Sequence, residues 1–377
     1  MKSRILIVLS LAVIFSQDFL YSQELPEQYR EKFSDSFSIR KEQHLDLGRY
    51  TDRLVEERIN KTLSFFKPDY SNIESYKKST SKYRKKYFKT IGYPPPHEKI
   101  GKLTIKLVGE DKFSKVYRVW TEILDGVKAY GIYVVPRNLK GKAPLIIAIH
   151  GGSGCPEAIV GIDTREPYHN LGYEAVKRGY IVWAPELIDR VTYGGDPKIE
   201  EAHRYQVDRK AKLGGTSLEA ILLYKIKCSV DALIKNRPEI DTDRIGVTGL
   251  SRGGRYTLLT TASLPYIKCA VVSGMFIDHE SYLKRDRSDP EKPADIDILK
   301  SFGNAEKVGM VCPRPLMIQM GVNDRVIPIK GARVEIPRAA LHYQKLGVED
   351  KFEFFEHSGG HEFHLESLFG FFEKHLK

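Results

Sequence analysis

The stretch GVTGLSRGGRYTL, residues 246–258, decides how the rest of the chain is interpreted. It places one hydroxyl, that of Ser251, between Gly249 and Gly253, where an apolar run ends and a helix-compatible run begins. A strand that turns at once into a helix forces the residue at the bend into strained backbone angles. The positions two before and two after it then crowd each other and have to be small. The pattern is that of a G-x-S-x-G nucleophile elbow. A tight surface turn with an idle serine is the alternative.

A serine hydroxyl becomes a good nucleophile only when a base removes its proton, and the base needs a carboxylate that orients it. The apolar run in LMIQMGVNDRVIP is typical of a strand, and the loop after it carries Asp324. The next strand-like run, in KFEFFEHSGGHEFH, leads into a glycine-rich loop that carries His361. The chain order Ser251, Asp324, His361 is one in which such triads occur on α/β sheets. His357 stays open as the base, and Asp278 stays open as the carboxylate.

The tetrahedral intermediate of such a reaction needs hydrogen-bond donors for its oxyanion. The backbone N–H of Arg252, at the start of the predicted helix, is expected to be one donor. The second is expected from HGGSG, which follows an apolar run, with Gly152 as the first choice and Ser153 as the alternative. Ser153 is also a candidate for contacting the substrate. Glu186, in WAPEL at the end of another strand-like run, is a further candidate substrate contact.

The order of patterns along the chain predicts the fold class. After residue 100, runs that alternate apolar and polar residues lead to APLIIAI, a solid apolar run typical of a strand buried on both faces. Strand-like and helix-like runs then alternate up to the terminal FHLESLFGFFEKHL. Residues 101–377 are therefore predicted to form an α/β domain. Its central sheet should be mostly parallel and flanked by helices, with functional loops at the carboxyl ends of the strands. Thr216 and Glu219 predict a capping box at the start of the long helix before the elbow strand.

Residues 23–100 are charged and aromatic, and they end at GYPPPHEK, where consecutive prolines cannot continue a helix. Their helical periodicity predicts an N-terminal helical accessory segment. Within it, YKKSTSKYRKKYFK interleaves basic and aromatic residues as nucleic-acid-binding segments do. However, Tyr76, Thr80, Tyr83 and Tyr87 share one helical face, and the lysines lie on another. An amphipathic helix docked on a core is therefore favoured, with no nucleic acid as a partner.

The first residues have the pattern of an export signal. Lys2 and Arg4 precede an apolar stretch of eleven residues, Ile5 to Phe15, which is too short to span a bilayer, and a short polar turn follows. We expect cleavage near Ser22–Gln23, a periplasmic or extracellular location and no stable membrane insertion. Loss of residues 1–22 would change the net charge from +11 to +10, with 58 basic and 48 acidic side chains left. Basic exported proteins tend to meet polyanions such as acidic polysaccharide.

The cysteines and histidines do not predict a metal centre. Four cysteines in 377 residues are too few for a disulfide framework, and no CxxC pair exists. The spacing of His361 and His364 also differs from the H-x-x-x-H pattern that aligns two ligands on one helix face. We therefore expect neither a metal nor an organic cofactor.

Together, IIAIHGGSG, DTDRIGVTGLSRGG, RPLMIQMGVNDRVIP and HSGGHEF resemble the α/β-hydrolase superfamily. Within it they resemble secreted esterases of the dienelactone-hydrolase and acetyl-xylan-esterase-like kind. The resemblance covers roughly residues 100–377, and the helical segment ending in IGYPPP is similar to the N-terminal part of secreted acetyl-xylan-esterase-like proteins. It implies the α/β-hydrolase fold and hydrolysis of carboxylic esters, often acetyl groups on plant or algal polysaccharide. The catalytic residues it implies are Ser251, Asp324 and His361.

Arg252 departs from many of these relatives, which carry a smaller or apolar residue after the serine. G-x-S-R-x-G resembles the elbow of glucuronoyl esterases, in which that arginine is thought to help hold the oxyanion. A guanidinium there would favour a uronate through bidentate pairing, so a methylesterase acting on uronate esters stays open. The alternative is that this arginine pairs with a neighbouring carboxylate of the protein and does not contact the substrate. A prolyl-oligopeptidase-like serine peptidase and a non-catalytic binding module are further alternatives.

Overall fold

The computed structural model describes residues 27–377 except 64, 153, 163–165, 188–196, 279–280 and 282–301. The predicted export signal and Ser153 lie outside the described residues. The chain divides into two compact units, Met1–Val55 and Glu56–Lys377. The described part of the first unit holds a short 3-10 helix, Phe33–Ser36, and the beginning of a long helix. The boundary near residue 100 stays a prediction.

The helices of the described chain are α1 (Phe37–Leu63), α2 (Ile73–Thr90), α3 (Pro156–Val160), α4 (Leu171–Lys177), α5 (Pro197–Leu213), α6 (Leu218–Asn236), α7 (Arg252–Ser263), α8 (Asn304–Val311), α9 (Ile329–Gln344) and α10 (Leu365–Leu376). A second 3-10 helix spans Glu349–Lys351. None of the described helices combines the length and the apolar character needed to cross a membrane.

The strands are β1 (Thr104–Glu110), β2 (Ser114–Leu124), β3 (Val127–Pro136), β4 (Ala143–Ile149), β5 (Ile181–Pro185), β6 (Ile240–Leu250), β7 (Cys269–Ser273), β8 (Leu316–Gly321) and β9 (Phe352–His357). They form one sheet in the order β1-β2-β3-β5-β4-β6-β7-β8-β9. The pairs β1/β2, β2/β3 and β3/β5 are antiparallel, and every pair from β5 to β9 is parallel. The predicted α/β architecture with a mostly parallel sheet is confirmed, and the runs that alternate apolar and polar residues form its antiparallel strands.

Strand β4 lies inside the sheet, and all of its residues are buried. Leu145, Ile147 and Ile149 belong to the core that the sheet shares with α2, α6 and α7. Ile146 and Ala148 belong to the core on the opposite face, shared with α3, α4 and α10. Successive side chains of a strand point to opposite faces, so helices on both faces require an unbroken apolar run. The predicted doubly buried strand is confirmed.

Helix α2 packs on the core of the second unit. It begins after Asn72, whose side chain accepts a hydrogen bond from the Ser75 N–H at 2.8 Å and so caps the helix. The buried residues of the helix are Tyr76, Thr80, Tyr83 and Tyr87. Their spacing of four, three and four residues keeps them on one face. The predicted amphipathic helix is confirmed.

The phenol hydroxyls of α2 also form hydrogen bonds with more distant elements. Tyr76 donates to the Gly309 carbonyl in α8 at 2.8 Å, and Tyr87 donates to the Glu219 carboxylate in α6 at 2.7 Å. Each such bond contributes about 0.5–1.5 kcal/mol, and more where the acceptor is charged. The helix is therefore attached by polar as well as apolar contacts.

The predicted capping box of α6 is wrong by one residue. Ser217 is the N-cap, and its hydroxyl accepts a hydrogen bond from the Ala220 N–H at 3.1 Å. The Thr216 hydroxyl instead donates to a main-chain carbonyl beyond α2 at 2.8 Å. Glu219 accepts the hydroxyl of Tyr87, so its side chain does not complete a box. The Glu219 carboxylate thus binds a side chain from α2 instead of the N-terminus of its own helix.

Candidate active site

Ser251 lies at the bend between β6 and α7, half-buried, with φ 59° and ψ −119°. A positive φ in a residue with a side chain is a strained conformation, worth about 1–3 kcal/mol, which the surrounding structure has to hold in place. One constraint is the Ser251 N–H, which donates to the Ser273 carbonyl at the end of β7 at 2.8 Å. The strand-to-helix bend predicted from the sequence is present at this residue.

Steric crowding explains the glycines on either side of the serine. A Cβ built on Gly249 would lie 2.4 Å from the carbonyl carbon and oxygen of Gly253. A Cβ built on Gly253 would lie 2.0 Å from the carbonyl oxygen of Ile149 in β4. Both neighbours are main-chain atoms, which cannot rotate away as a side chain can. The predicted need for small residues at these positions is confirmed.

Asp324 and His361 form a hydrogen-bonded pair, with 2.7 Å between Asp324 Oδ2 and His361 Nδ1. The carboxyl lies in the loop after β8, and its other oxygen accepts the N–H groups of Val326 and Ile327 at 2.7 and 2.8 Å. Burial of the Asp324 carboxyl raises its pKa. The hydrogen bonds from His361, Ile327 and Val326 oppose burial and hold the pKa below its ordinary value. The group is therefore a carboxylate at neutral pH, suited to orienting an imidazole.

The imidazole of His361 lies beside the elbow. A Cβ built on Gly274 would be 3.2 Å from its Cε1 and 3.3 Å from its Nδ1. The same position would be 2.9 Å from Leu250, the residue before the serine. Gly274 directly follows Ser273, whose carbonyl accepts the Ser251 N–H. The elbow, the His361 ring and the Asp324 carboxylate thus all lie near Gly274, at the edge of the sheet where β6, β7 and β8 end.

The open alternatives lie in other surroundings. His357, at the end of β9, accepts the Gly359 N–H at 3.2 Å, and its ring stacks on His364 with 5.6 Å between centroids. Burial lowers its pKa. Asp278 accepts the Ser281 N–H at 2.9 Å. It is Asp324 whose carboxylate faces the His361 ring.

The glycine-rich loop after β4 lies against the elbow. A Cβ on Gly151 would be 3.5 Å from the Ser251 Cβ, and the Gly151 N–H donates to the Tyr168 hydroxyl at 2.9 Å. A Cβ on Gly152 would lie 3.3 Å from the Arg252 Cζ, so the guanidinium covers this glycine. Because the Gly151 N–H already has an acceptor, Gly152 is the better candidate donor in the described part of the loop. The N-terminus of α7 directs its N–H groups toward the bend, as expected for the backbone of Arg252.

Glu186 follows β5 and is held mainly through its backbone. Its N–H donates to the Tyr130 carbonyl at 2.9 Å, and its own carbonyl accepts the buried Lys225 ammonium. One carboxylate oxygen lies 3.6 Å from His150 Nε2. That nitrogen accepts the Leu187 N–H at 3.0 Å, which leaves Nδ1 to donate to the Gly151 carbonyl at 2.8 Å. The Glu186 carboxylate is a quarter exposed at this edge of the sheet, where it can meet a ligand.

The structure adds a group of residues that sequence reasoning missed. His169 lies between two carboxylates, with its Nε2 2.7 Å from Glu362 and its Nδ1 2.9 Å from Glu166. Ligand atoms of these residues lie within 4.8 Å of one another. Glu362 directly follows His361, and Tyr168 directly precedes His169. Glu166 is local to His169, but Glu362 lies 193 residues away, so no local pattern signals that the histidine joins the two carboxylates.

Comparison with known proteins agrees with the architecture. No protein-family model matches the chain. It is 26% identical over 291 residues to "Putative hydrolase YtaP" of Bacillus subtilis, covering 74% of this chain and 92% of that protein. It is 27% identical over 263 residues to "Uncharacterized peptidase YuxL" of the same organism, covering 65% of this chain and 35% of that protein.

Solved structures that match the chain include several esterases. A "putative acetyl xylan esterase" from Bacteroides fragilis has a TM-score of 0.63 at 16% identity, with 81% of each chain covered. A glucuronoyl esterase from Caldicellulosiruptor kristjansonii has a TM-score of 0.56 at 19% identity, with 82% of this chain and 90% of that chain covered. The structural neighbours are thus the esterases that the sequence resembles, and the predicted α/β-hydrolase fold is confirmed.

Proposed function

We propose that the chain is an exported serine esterase that hydrolyses carboxylic esters, with acetyl or related acyl groups on polysaccharide as its substrates. The observation that carries the proposal is the strained Ser251 at the strand-to-helix bend, next to an imidazole that is hydrogen-bonded to a carboxylate. The esterases among the structural neighbours and the hydrolase among the curated relatives support the same class of reaction.

In the proposed reaction, Ser251 Oγ attacks the ester carbonyl while His361 Nε2 takes the serine proton. Asp324 holds the Nδ1–H of the imidazole at 2.7 Å and stabilises the imidazolium. The backbone N–H groups of Gly152 and Arg252 would donate to the oxyanion. The alcohol then leaves with the proton from His361, and the acyl group stays on Ser251. Water, deprotonated by the same histidine, attacks the acyl-enzyme and releases the acid.

The test is hydrolysis of p-nitrophenyl acetate and acetylated xylan by the wild type, Ser251→Ala and Ser263→Ala. Ser263 lies at the other end of the same helix, so its replacement controls for the loss of a hydroxyl from α7. We expect Ser251→Ala to lose activity by about 10³-fold or more and the control to keep it. Equal rates for wild type and Ser251→Ala would refute the assignment.

A peptide substrate belongs in the same assay, because one curated relative carries the name of a peptidase. Cleavage of the peptide with no ester cleavage would favour that alternative.

The export part of the proposal is tested separately. When the chain is expressed with residues 1–22 in a bacterial host, we expect mature protein outside the cytoplasm, beginning near Gln23. Recovery of the intact chain in the cytoplasmic fraction alone would contradict it.

A second candidate function is cleavage of methyl esters of uronates. The observation that favours it is the Arg252 guanidinium over Gly152, beside the nucleophile, where it could pair with a carboxylate or an oxyanion of the substrate. Release of methanol rather than acetate from a panel of natural polysaccharides would identify this activity. The candidate fails if acetyl esters are cleaved and methyl glucuronates are not.

A further inference from the structure

Residues 166–170, between β4 and α4, touch both loops that carry the proposed chemistry. On one side the Tyr168 hydroxyl accepts the N–H of Gly151 in the loop after β4. On the other side His169 pairs with Glu362, the neighbour of His361. The Pro167 carbonyl also accepts the Phe363 N–H at 3.3 Å. One short segment therefore joins the donor loop and the histidine loop.

The contact with Gly151 fixes the orientation of the donor loop. Tyr168 is only 4% exposed, and a Cβ on Gly154 would lie 1.9 Å from its hydroxyl oxygen. The phenol oxygen thus sits inside the turn formed by the loop, which the Gly154 N–H closes by donating to the Gly151 carbonyl at 3.1 Å. The Gly151 carbonyl and the Gly152 N–H share one planar peptide group, so the bond from Gly154 fixes the direction of the Gly152 N–H. Tyr168 supports this arrangement because it holds the preceding peptide through the Gly151 N–H and fills the turn.

The contact with Glu362 restrains the histidine loop. One oxygen of Glu362 accepts the Gly360 N–H at 2.9 Å, and the other lies 2.7 Å from His169 Nε2. The hydrogen bond from Gly360 is the first cause that holds the pKa of Glu362 below its ordinary value, and the pairing with His169 lowers it further. Gly360 and Glu362 flank His361, so a carboxylate held at both oxygens fixes the backbone that carries the imidazole.

The backbone of the joining segment is itself strained. His169 has φ 50° and Asn170 has φ 56°, two consecutive residues with side chains in the left-handed region. Asn and His enter this region more often than most residues, but as single residues, and two in succession are a strain that persists only where contacts enforce it. The pairing of His169 with Glu362 and Glu166 is a contact of that kind.

We propose that residues 166–170 act as a positioning segment, in which Tyr168 sets the oxyanion donor and the His169–Glu362 pair sets the general base. The inference rests on the proposed function, because it assigns roles relative to that triad. Tyr168 and Glu362 are positioning residues and act through Gly152 and His361.

The experiment compares Tyr168→Phe, Glu362→Gln and the double variant with the wild type in the full chain. Tyr173→Phe and Glu366→Gln are the matched controls, because both residues lie nearby in sequence outside the positioning contacts. Misplacement of a catalytic group by about 1 Å costs up to ~10²-fold, so we expect each single variant to lower kcat by about 10- to 100-fold with KM within twofold. If one segment carries both effects, the fold-loss of kcat in the double variant should be much smaller than the product of the fold-losses in the two single variants.

The rate at which a fluorophosphonate labels Ser251 separates this inference from the proposed function. No labelling of the wild type would refute the proposed function itself. Labelling of the wild type, with equal rates in Tyr168→Phe and Glu362→Gln, would leave the esterase intact and overturn the positioning role. A loss of activity on dialysis against EDTA, restored by a divalent cation, would also overturn it in favour of a metal held by the same side chains. Tyr168→Phe changes the side-chain volume little, so it tests the inference even if Glu362→Gln does not fold.

Discussion

Replacement of Gly253 by alanine is the sharpest steric test of the elbow. The new Cβ would lie 2.0 Å from the Ile149 carbonyl oxygen and 2.7 Å from the His150 carbonyl oxygen, whereas ordinary contacts begin at 3.4 Å. The nearer pair would have to separate by about 1.4 Å, and Ile149 belongs to the fully buried central strand. Overpacking of this kind costs about 1–3 kcal/mol, and both obstacles here are backbone, so we expect a loss of about 3 kcal/mol in the free energy of unfolding.

Gly370→Ala is the matched control, because Gly370 also lies in a helix but has no atom within 4 Å of the added Cβ. Alanine is favoured over glycine in a helix interior by about 1 kcal/mol, so this variant should be more stable than the wild type. Urea denaturation of the three proteins measures both values. The reasoning is refuted if Gly253→Ala unfolds at the same urea concentration as the wild type or above it.

Other predictions follow from single contacts. Asp324→Asn should lower kcat by about 10³- to 10⁴-fold with little change in thermal stability, since the amide no longer stabilises an imidazolium; unchanged kcat would contradict this. Tyr87→Phe should destabilise the fold by about 1–3 kcal/mol, because the buried Glu219 carboxylate loses the phenol donor and then relies on its ion pair with Arg255. Tyr29→Phe, at a side chain 78% exposed, should be neutral in the same denaturation assay. Burial lowers the pKa of His342 from 6.5 to about 4, so the unfolded chain takes up a proton there before the folded chain does. The free energy of unfolding should therefore fall by about 3 kcal/mol as the pH drops from about 6.5 to 4, and His342→Gln should flatten this dependence on pH. Equal slopes of stability against pH in the wild type and the variant would be inconsistent with a neutral buried imidazole.

The parts of the fold that were predictable from sequence have local determinants. The elbow needs small residues two positions from the serine, and Gly249 and Gly253 supply them within the same short stretch. Strand β4 has no polar residue at any position, which indicates that both of its faces are covered. The buried face of α2 follows from the helical repeat of its aromatic residues. In each case the physical requirement falls within a single element, where the sequence can show it.

The parts that were missed depend on contacts between distant segments. Tyr168 and Gly151 are 17 residues apart, and His169 and Glu362 are 193 residues apart, so no periodicity relates them. The cap of α6 was misplaced for a similar reason, because its predicted partner Glu219 is engaged by a helix more than a hundred residues earlier. The choice between two histidines was likewise left open, since it depends on which ring the loop brings to the carboxylate.

The hydroxyl contacts of α2 have a consequence for proteolysis. Tyr76 and Tyr87 bind groups that belong to α8 and α6, and neither bond depends on the peptide link between α2 and β1. A protease that nicks the proline-containing connection at residues 94–96 would therefore yield two fragments that migrate together through gel filtration and part only in denaturant. In this protein an intact elution volume is no proof of an uncut polypeptide.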